Sequence, residues 1–158
     1  MDVRGIVEFA FQKWKGYTPE KITRLPQSGS DRVYFRIFSR GDNLIGAYNP
    51  GKEENDAFVG FTNHFRSKGL PVPEIYVYFP ENRVYFLEDL GDVNLFTWLA
   101  TRPEKERFNQ ETESLFMEVA TDLVNIQIEG IKGLDLSLCH PHRSFDRQSM
   151  VWDLNYYK

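Results

Sequence analysis

Two segments hold the residue types most open to chemistry. In LPQSGSDRVYFRI (Leu25 to Ile37), Ser28, Gly29 and Ser30 sit at a strand–turn–strand junction, with Asp31 and Arg32 directly after them. Exposed backbone amides and hydroxyls at such a junction can meet phosphate oxygens, and glycine lets the backbone approach closely. An ordinary hairpin turn accounts for the same residues equally well, since one glycine carries much less information than a full glycine-rich fingerprint. The second segment, FLEDLGD (Phe86 to Asp92), sets the acidic pair Glu88 and Asp89 between Leu87 and Leu90. Standing alone, that pair reads as a solvated strand end.

Other groupings offer less. Cys139, His140 and His142 are close together, but a metal site would need a fourth ligand and better spacing, so they read as loop residues. His64 falls on the polar side of a helical pattern and reads as solvated. Order and spacing define no Ser/His/Asp or Cys/His arrangement. Neither a catalytic residue nor a metal ligand is assigned on this chain.

The elements that must position these segments follow from periodicity. Val3, Ile6, Val7, Ala10 and Trp14 recur at helical spacing, with Asp2 placed to cap the free amides and Gly16 to end the run. KITRLP (Lys21 to Pro26) and RVYFRIF (Arg32 to Phe38) read as two strands of a hairpin around QSGSD. RGDN (Arg40 to Asn43) is a second turn, and Leu44 to Tyr48 a third strand. From Glu53 the spacing becomes helical, with Ala57, Phe58, Phe61 and Phe65 on one face and Gly69 and Pro71 as the stop. PVPEIYVYF (Pro71 to Phe79) and RVYFLEDL (Arg83 to Leu90) flank the turn PEN and predict a second hairpin. After Gly91 the pattern is helical, through Leu95 to Leu99 and then Glu111 to Ile128, where Leu115, Val119, Leu123 and Ile126 recur.

The 158 residues have room for one compact domain, or for a small lobe and the start of another, and 41% apolar with 15% aromatic residues is enough to build a core. A net charge of −4 offers no positive field for a nucleic-acid backbone, so nucleic acid is not expected as a partner. The single cysteine excludes an intrachain disulfide framework and fits a reducing compartment. Asp2, Arg4 and Glu8 interrupt the N-terminal apolar run, which therefore does not read as a signal peptide, and no stretch reaches the ~20 apolar residues of a membrane span. The chain reads as soluble and cytoplasmic, with no membrane partner.

In this order of elements, SGSDRVYFRI (Ser28 to Ile37), GLPVPEI (Gly69 to Ile75) and LEDLGD (Leu87 to Asp92) resemble the aminoglycoside phosphotransferase and choline kinase-like family. Within it they look most like the bacterial N-acetylmuramate/N-acetylglucosamine kinases, and the resemblance covers roughly residues 20–100. It implies an α+β fold. Residues 1–91 would form a protein-kinase-like N-terminal lobe with a leading helix and a five-stranded antiparallel sheet holding one inserted helix. Residues 92–158 would begin a helical C-terminal lobe, with the chain broken off before its catalytic loop. The resemblance also implies ATP and Mg²⁺ as cofactors. Ser28, Gly29, Ser30, Asp31 and Arg32 would contact the nucleotide phosphates. The backbone of Glu88, Asp89 and Leu90 would hold the adenine edge, with Leu87 as a wall, because a planar base in an apolar slot needs a few fixed polar groups for orientation.

Two departures qualify this. Family members usually carry a lysine on the third strand that meets the phosphates and pairs with an acid on the following helix. Here NLIGAYNP has none near Ala47 or Tyr48. Lys52 lies past Pro50 and Gly51, which puts in doubt both its phosphate contact and Glu53, Glu54 or Asn55 as its partner; Arg32 and Arg36 are the candidate substitutes. The family also needs a base Asp, an Asn five residues on, and a second metal-binding Asp. Asp89 and Asn94 have the spacing but lack the preceding His-Gly or His-Arg, and read as a chance match.

The implied activity of the parent protein is transfer of the ATP γ-phosphoryl group to a hydroxyl of a sugar or amino sugar, its base and metal ligands lying downstream and this chain alone being inactive. Phe145, Met150, Trp152 and Tyr156 near the end would suit either an acceptor wall or a helical core. The alternatives are a pseudokinase-like module that holds a nucleotide or a protein, and a small α+β interaction domain.

Overall fold

The computed structural model describes residues 2–27, 29–141, 144 and 146–156. The fold is α+β, with one five-stranded antiparallel sheet and, among the described residues, five α-helices. Helix α1 (Val3–Lys15) starts where Asp2 Oδ1 accepts from the Gly5 amide at 2.7 Å. It ends where Gly16, at φ 78°, donates its amide to the Gln12 carbonyl. Both stop signals are local, so their residues specify the element without help from the rest of the chain.

Strands β1 (Lys21–Arg24), β2 (Val33–Ser39), β3 (Asp42–Tyr48), β4 (Ile75–Phe79) and β5 (Val84–Glu88) are ordered β1-β2-β3-β5-β4. β5 thus inserts between β3 and β4, and the second hairpin joins the sheet through its later strand. β4 is shorter than its apolar run predicted, since Pro71 and Pro73 cannot donate to a ladder and residues 71–74 stay outside it. β5 begins one residue after Arg83, which adopts a left-handed φ of 58° to close the Pro80–Asn82 turn.

Alternation splits the sheet into two faces. The register Phe35↔Gly46↔Phe86 puts one row under α1, where Val7, Ala10 and Phe11 join Ile22, Phe35, Ile37, Leu44, Val84 and Phe86 in one core. Gly46 is required there: a Cβ would lie 2.8 Å from Val7 Cγ1 and 2.9 Å from Ile37 Cδ1. The register Tyr34↔Ala47↔Tyr85 supplies the other row, where Ile45, Ala47, Tyr85 and Leu87 pack against Val59 and Phe58 of α2 (Lys52–Ser67).

The face of α2 that meets the sheet differs from the predicted one. Its buried residues are Asn55, Ala57, Val59 and Thr62, while Phe61 and Phe65 are only half-buried and turn toward the later helical segment. Leu138 closes over Gly60 of α2, where a Cβ would lie 2.6 Å from Leu138 Cδ1, and Phe65 lies against Gly130 of the later segment, where a Cβ would lie 3.0 Å from Phe65 Cε1. His64 lies on that side too. It is half-buried, not solvated, with Nε2 2.8 Å from the Gly130 carbonyl.

Helices α3 (Leu95–Ala100), α4 (Gln110–Ile128) and α5 (Arg147–Tyr156) follow. No helix among the described residues is long and apolar enough to cross a membrane.

Candidate functional site

Arg32, Tyr34 and Arg36 share one parity on the run into and along β2, so all three project from the α2 face of the sheet. Arg32 sits directly after the β1–β2 turn. Its side chain is 12% exposed and its guanidinium donates to Glu54 Oε1 at 2.8 Å, stacked 4.9 Å from the Phe58 ring centroid. Glu54 belongs to the first turn of α2, where the helix dipole favours a carboxylate. The ion pair therefore joins the turn to the helix. Burial works against the Arg32 charge, yet nearby Tyr85, Tyr34 and Glu54 hold its pKa above the ordinary value. Arg32 Nε and the Tyr85 hydroxyl are both buried without a well-formed hydrogen bond, with Tyr34 the neighbour that acts on both groups. Burial pushes the Tyr85 phenol far up, so it stays a neutral donor.

Arg36 makes a different connection. Its Nε and Nη2 donate to Asp89 Oδ2 and Oδ1 at 2.6 and 2.9 Å, and Nη1 donates to Asp92 Oδ2 at 2.8 Å. The Asp89 side chain is 8% exposed, so this two-pronged pair anchors the segment leaving β5. Asp89 Oδ1 also accepts from the Gly91 amide at 3.0 Å, which curls the chain at Gly91, φ 82°. Arg36, through its hydrogen bonds, holds the Asp92 carboxyl below its ordinary pKa. Among the described residues the Leu90 amide donates to no protein acceptor, and Leu90 itself is 69% exposed.

The predicted site residues fall into these two places. Gly29, Ser30 and Asp31 are exposed in the turn, tied by Gln27 Nε2 donating to the Ser30 carbonyl at 3.4 Å; Ser28 lies outside the described residues. Leu87 is covered within the core under α2 and Glu88 is half-buried, its amide donating to the Glu74 carbonyl. The turn lies at the Val33–Tyr48–Val84 end of the sheet and the 88–90 segment at the Leu44–Glu88 end. Those rows are four residues apart along β5, about 13 Å at ~3.3 Å per residue.

The remaining candidates are bound elsewhere. Lys52 pairs with Asp56 at 2.5 Å, and Tyr78 donates to the same carboxylate at 2.8 Å; these contacts hold Asp56 below its ordinary pKa, the Lys52 bond being the larger cause. Asn55 is fully buried and donates to the Asn49 carbonyl at the end of β3. Asn94 caps α3, accepting from the Thr97 amide at 2.8 Å, so neither it nor Asp89 is free for a metal. Cys139 and His140 line a small cavity with Arg32, Glu54 and Phe58, while His142 lies outside the described residues. Among the described residues no three His, Cys, Asp or Glu side chains gather as a cation site.

Sequence reasoning named Arg32, Arg36, Glu54 and Asp89 separately. It missed that Arg36 grips Asp89 across 53 residues. The one available signal was an arginine on the α2-face parity of β2, where an apolar residue would otherwise be expected. Among known proteins, no family model matches this chain and no curated sequence is significantly similar to it.

Proposed function

We propose that the α2 face of this sheet is the nucleotide-binding half of an ATP-dependent phosphotransferase acting on a sugar or amino-sugar hydroxyl. The observation that carries the reading is the Arg32–Glu54 pair beneath the β1–β2 turn, its arginine side chain 12% exposed and its glutamate 48%, with the Arg32 Nε unpartnered beside it. An arginine in that place presents a planar fork of donors to phosphate oxygens and keeps its charge when desolvated, as a helix-paired lysine would in a kinase lobe. The exposed Gly29–Asp31 backbone would take the outer phosphates. At the other end the free Leu90 amide, on a segment held still by Arg36, would orient the base. The residues of this chain fit the nucleotide but not Mg²⁺, since Asp89 and Asn94 are committed to structural bonds and no other Asp and Asn are five residues apart in this order. The domain division at residues 91 and 92 belongs to the same reading.

A thermal-shift titration with ATP tests it. Wild-type chain is expected to gain stability with nucleotide concentration, as any ligand selective for the folded state produces. Arg32→Ala is expected to lose most of that gain. Gly29→Asp should lose it too, through charge repulsion alone, because a Cβ at Gly29 meets nothing within 4 Å. Equal shifts in all three proteins would refute the assignment.

The missing third-strand lysine favours a second reading, a non-catalytic nucleotide-binding module. Both readings expect ATP binding without turnover by residues 1–158; ATP hydrolysis above a no-enzyme control would overturn the placement of the catalytic base outside this chain.

A further inference from the structure

The opposite face of the sheet carries a second recess. A cavity of about 460 Å³ opens between the last turn of α1, the β2–β3 turn and Tyr76. Two local departures from regular geometry aim side chains into it. Arg40 and Gly41 form the two-residue turn between Ser39 and Asp42, both at positive φ, 52° and 84°. Such turns favour Asn-Gly, and an arginine held left-handed is strained, an observation that points to a use for its side chain. At the far wall, the register of β4 slips between Ile75 and Val77. That bulge turns Tyr76 toward α1, where its ring stacks on Trp14 at 6.2 Å and 22°.

The lining is aromatic and holds two cations, Lys15 and Arg40, against Asp42, while the Glu74 and Glu88 carboxylates act on Tyr76 from outside it. The Lys15 ammonium sits 3.7 Å from the Trp14 centroid, and the Arg40 guanidinium 3.7 Å from that of Tyr17. Neither side chain pairs with a carboxylate among the described residues, and Asp42 is the single acidic side chain in the lining. Glu20 faces the Arg40 backbone, accepting its amide at 2.9 Å. Two cations spread over aromatic faces, beside an exposed tyrosine stacked on tryptophan, recognise a flat ring at one end and a negative group at the other.

We propose that this cavity binds a planar aromatic anion, a single ring bearing one phosphate. The site is separate from the α2 face and independent of the nucleotide assignment.

Phenyl phosphate is the probe, titrated into the isotope-labelled 158-residue chain with amide NMR shifts as readout. Shifts are expected to centre on Lys15, Arg40, Asp42 and Tyr76, with phenol and inorganic phosphate each binding about tenfold more weakly or worse. Arg40→Asn suits the left-handed turn and should preserve the folded spectrum while weakening phenyl phosphate about tenfold. Asp42→Asn should tighten it by removing a like charge. Inorganic phosphate binding as well as phenyl phosphate, shifts centred on Gly29 to Arg32, or unchanged affinity in Arg40→Asn would each overturn the proposal.

Discussion

The sheet with its two covering helices and the segment from α3 to α5 use apolar residues in opposite ways. In the first, Val7, Phe11, Ile37, Val84, Tyr85 and Phe86 are all fully buried. In the second, Phe96 is 77% exposed, Phe108 90%, Leu123 55% and Leu154 69%. Helical spacing is clear in both. The sheet can bury both faces because α1 and α2 each lay an apolar stripe across it, whereas among the described residues α4 has no such surface opposite it. Local bonds hold it, such as Asn109 accepting from the Thr112 amide, and the chain that follows it meets α2 at Gly130 and at residues 136–138. Periodicity reports which side of a helix is apolar; burial needs a partner.

That contrast can be broken most sharply by core deletion. Phe86→Ala should cost about 3–5 kcal/mol in chemical denaturation, since Phe86 contacts Phe11, Trp14 and Phe79 in a closed core. Leu123→Ala, on the exposed flank of α4, should change stability by less than about 0.5 kcal/mol. Equal costs would mean that α4 is packed in solution.

Arg36→Ala should follow, at about 2 kcal/mol, because it strands the mostly buried Asp89 carboxylate while water still reaches part of the site. The same variant is expected to raise amide exchange at residues 89–92. His64→Ala should cost about 1 kcal/mol at most and speed exchange near Gly130 while leaving the sheet amides unchanged.

The smallest effect is a pH dependence. Arg36 holds Asp92 below its ordinary pKa of 3.8, so their bond contributes stability above that value and loses it as pH falls through the lower folded-state value. The stability difference between wild type and Asp92→Asn should stay flat from about pH 7 to pH 5 and shrink below about pH 4. A difference that persists unchanged to about pH 2 would remove the ionic account of this contact.

The sequence by itself determined what depends on neighbours along the chain. Asp2 and Gly16 bound α1, Arg40-Gly41 closes a hairpin, and period-2 alternation in β2 separates Phe35 and Ile37 from Tyr34 and Arg36. Each follows from backbone sterics or local hydrogen bonding. The tertiary structure decided what depends on contacts distant in sequence. It set β5 between β3 and β4, turned Phe61 and Phe65 away from the sheet, and drew His64 onto Gly130. It also chose among ion pairs that residue types leave equivalent: Glu54 took Arg32, Asp56 took Lys52, and Asp89 took Arg36. Charge is legible in a sequence, but which opposite charge lies within hydrogen-bonding reach is a matter of strand register and helix docking, and those are settled by packing.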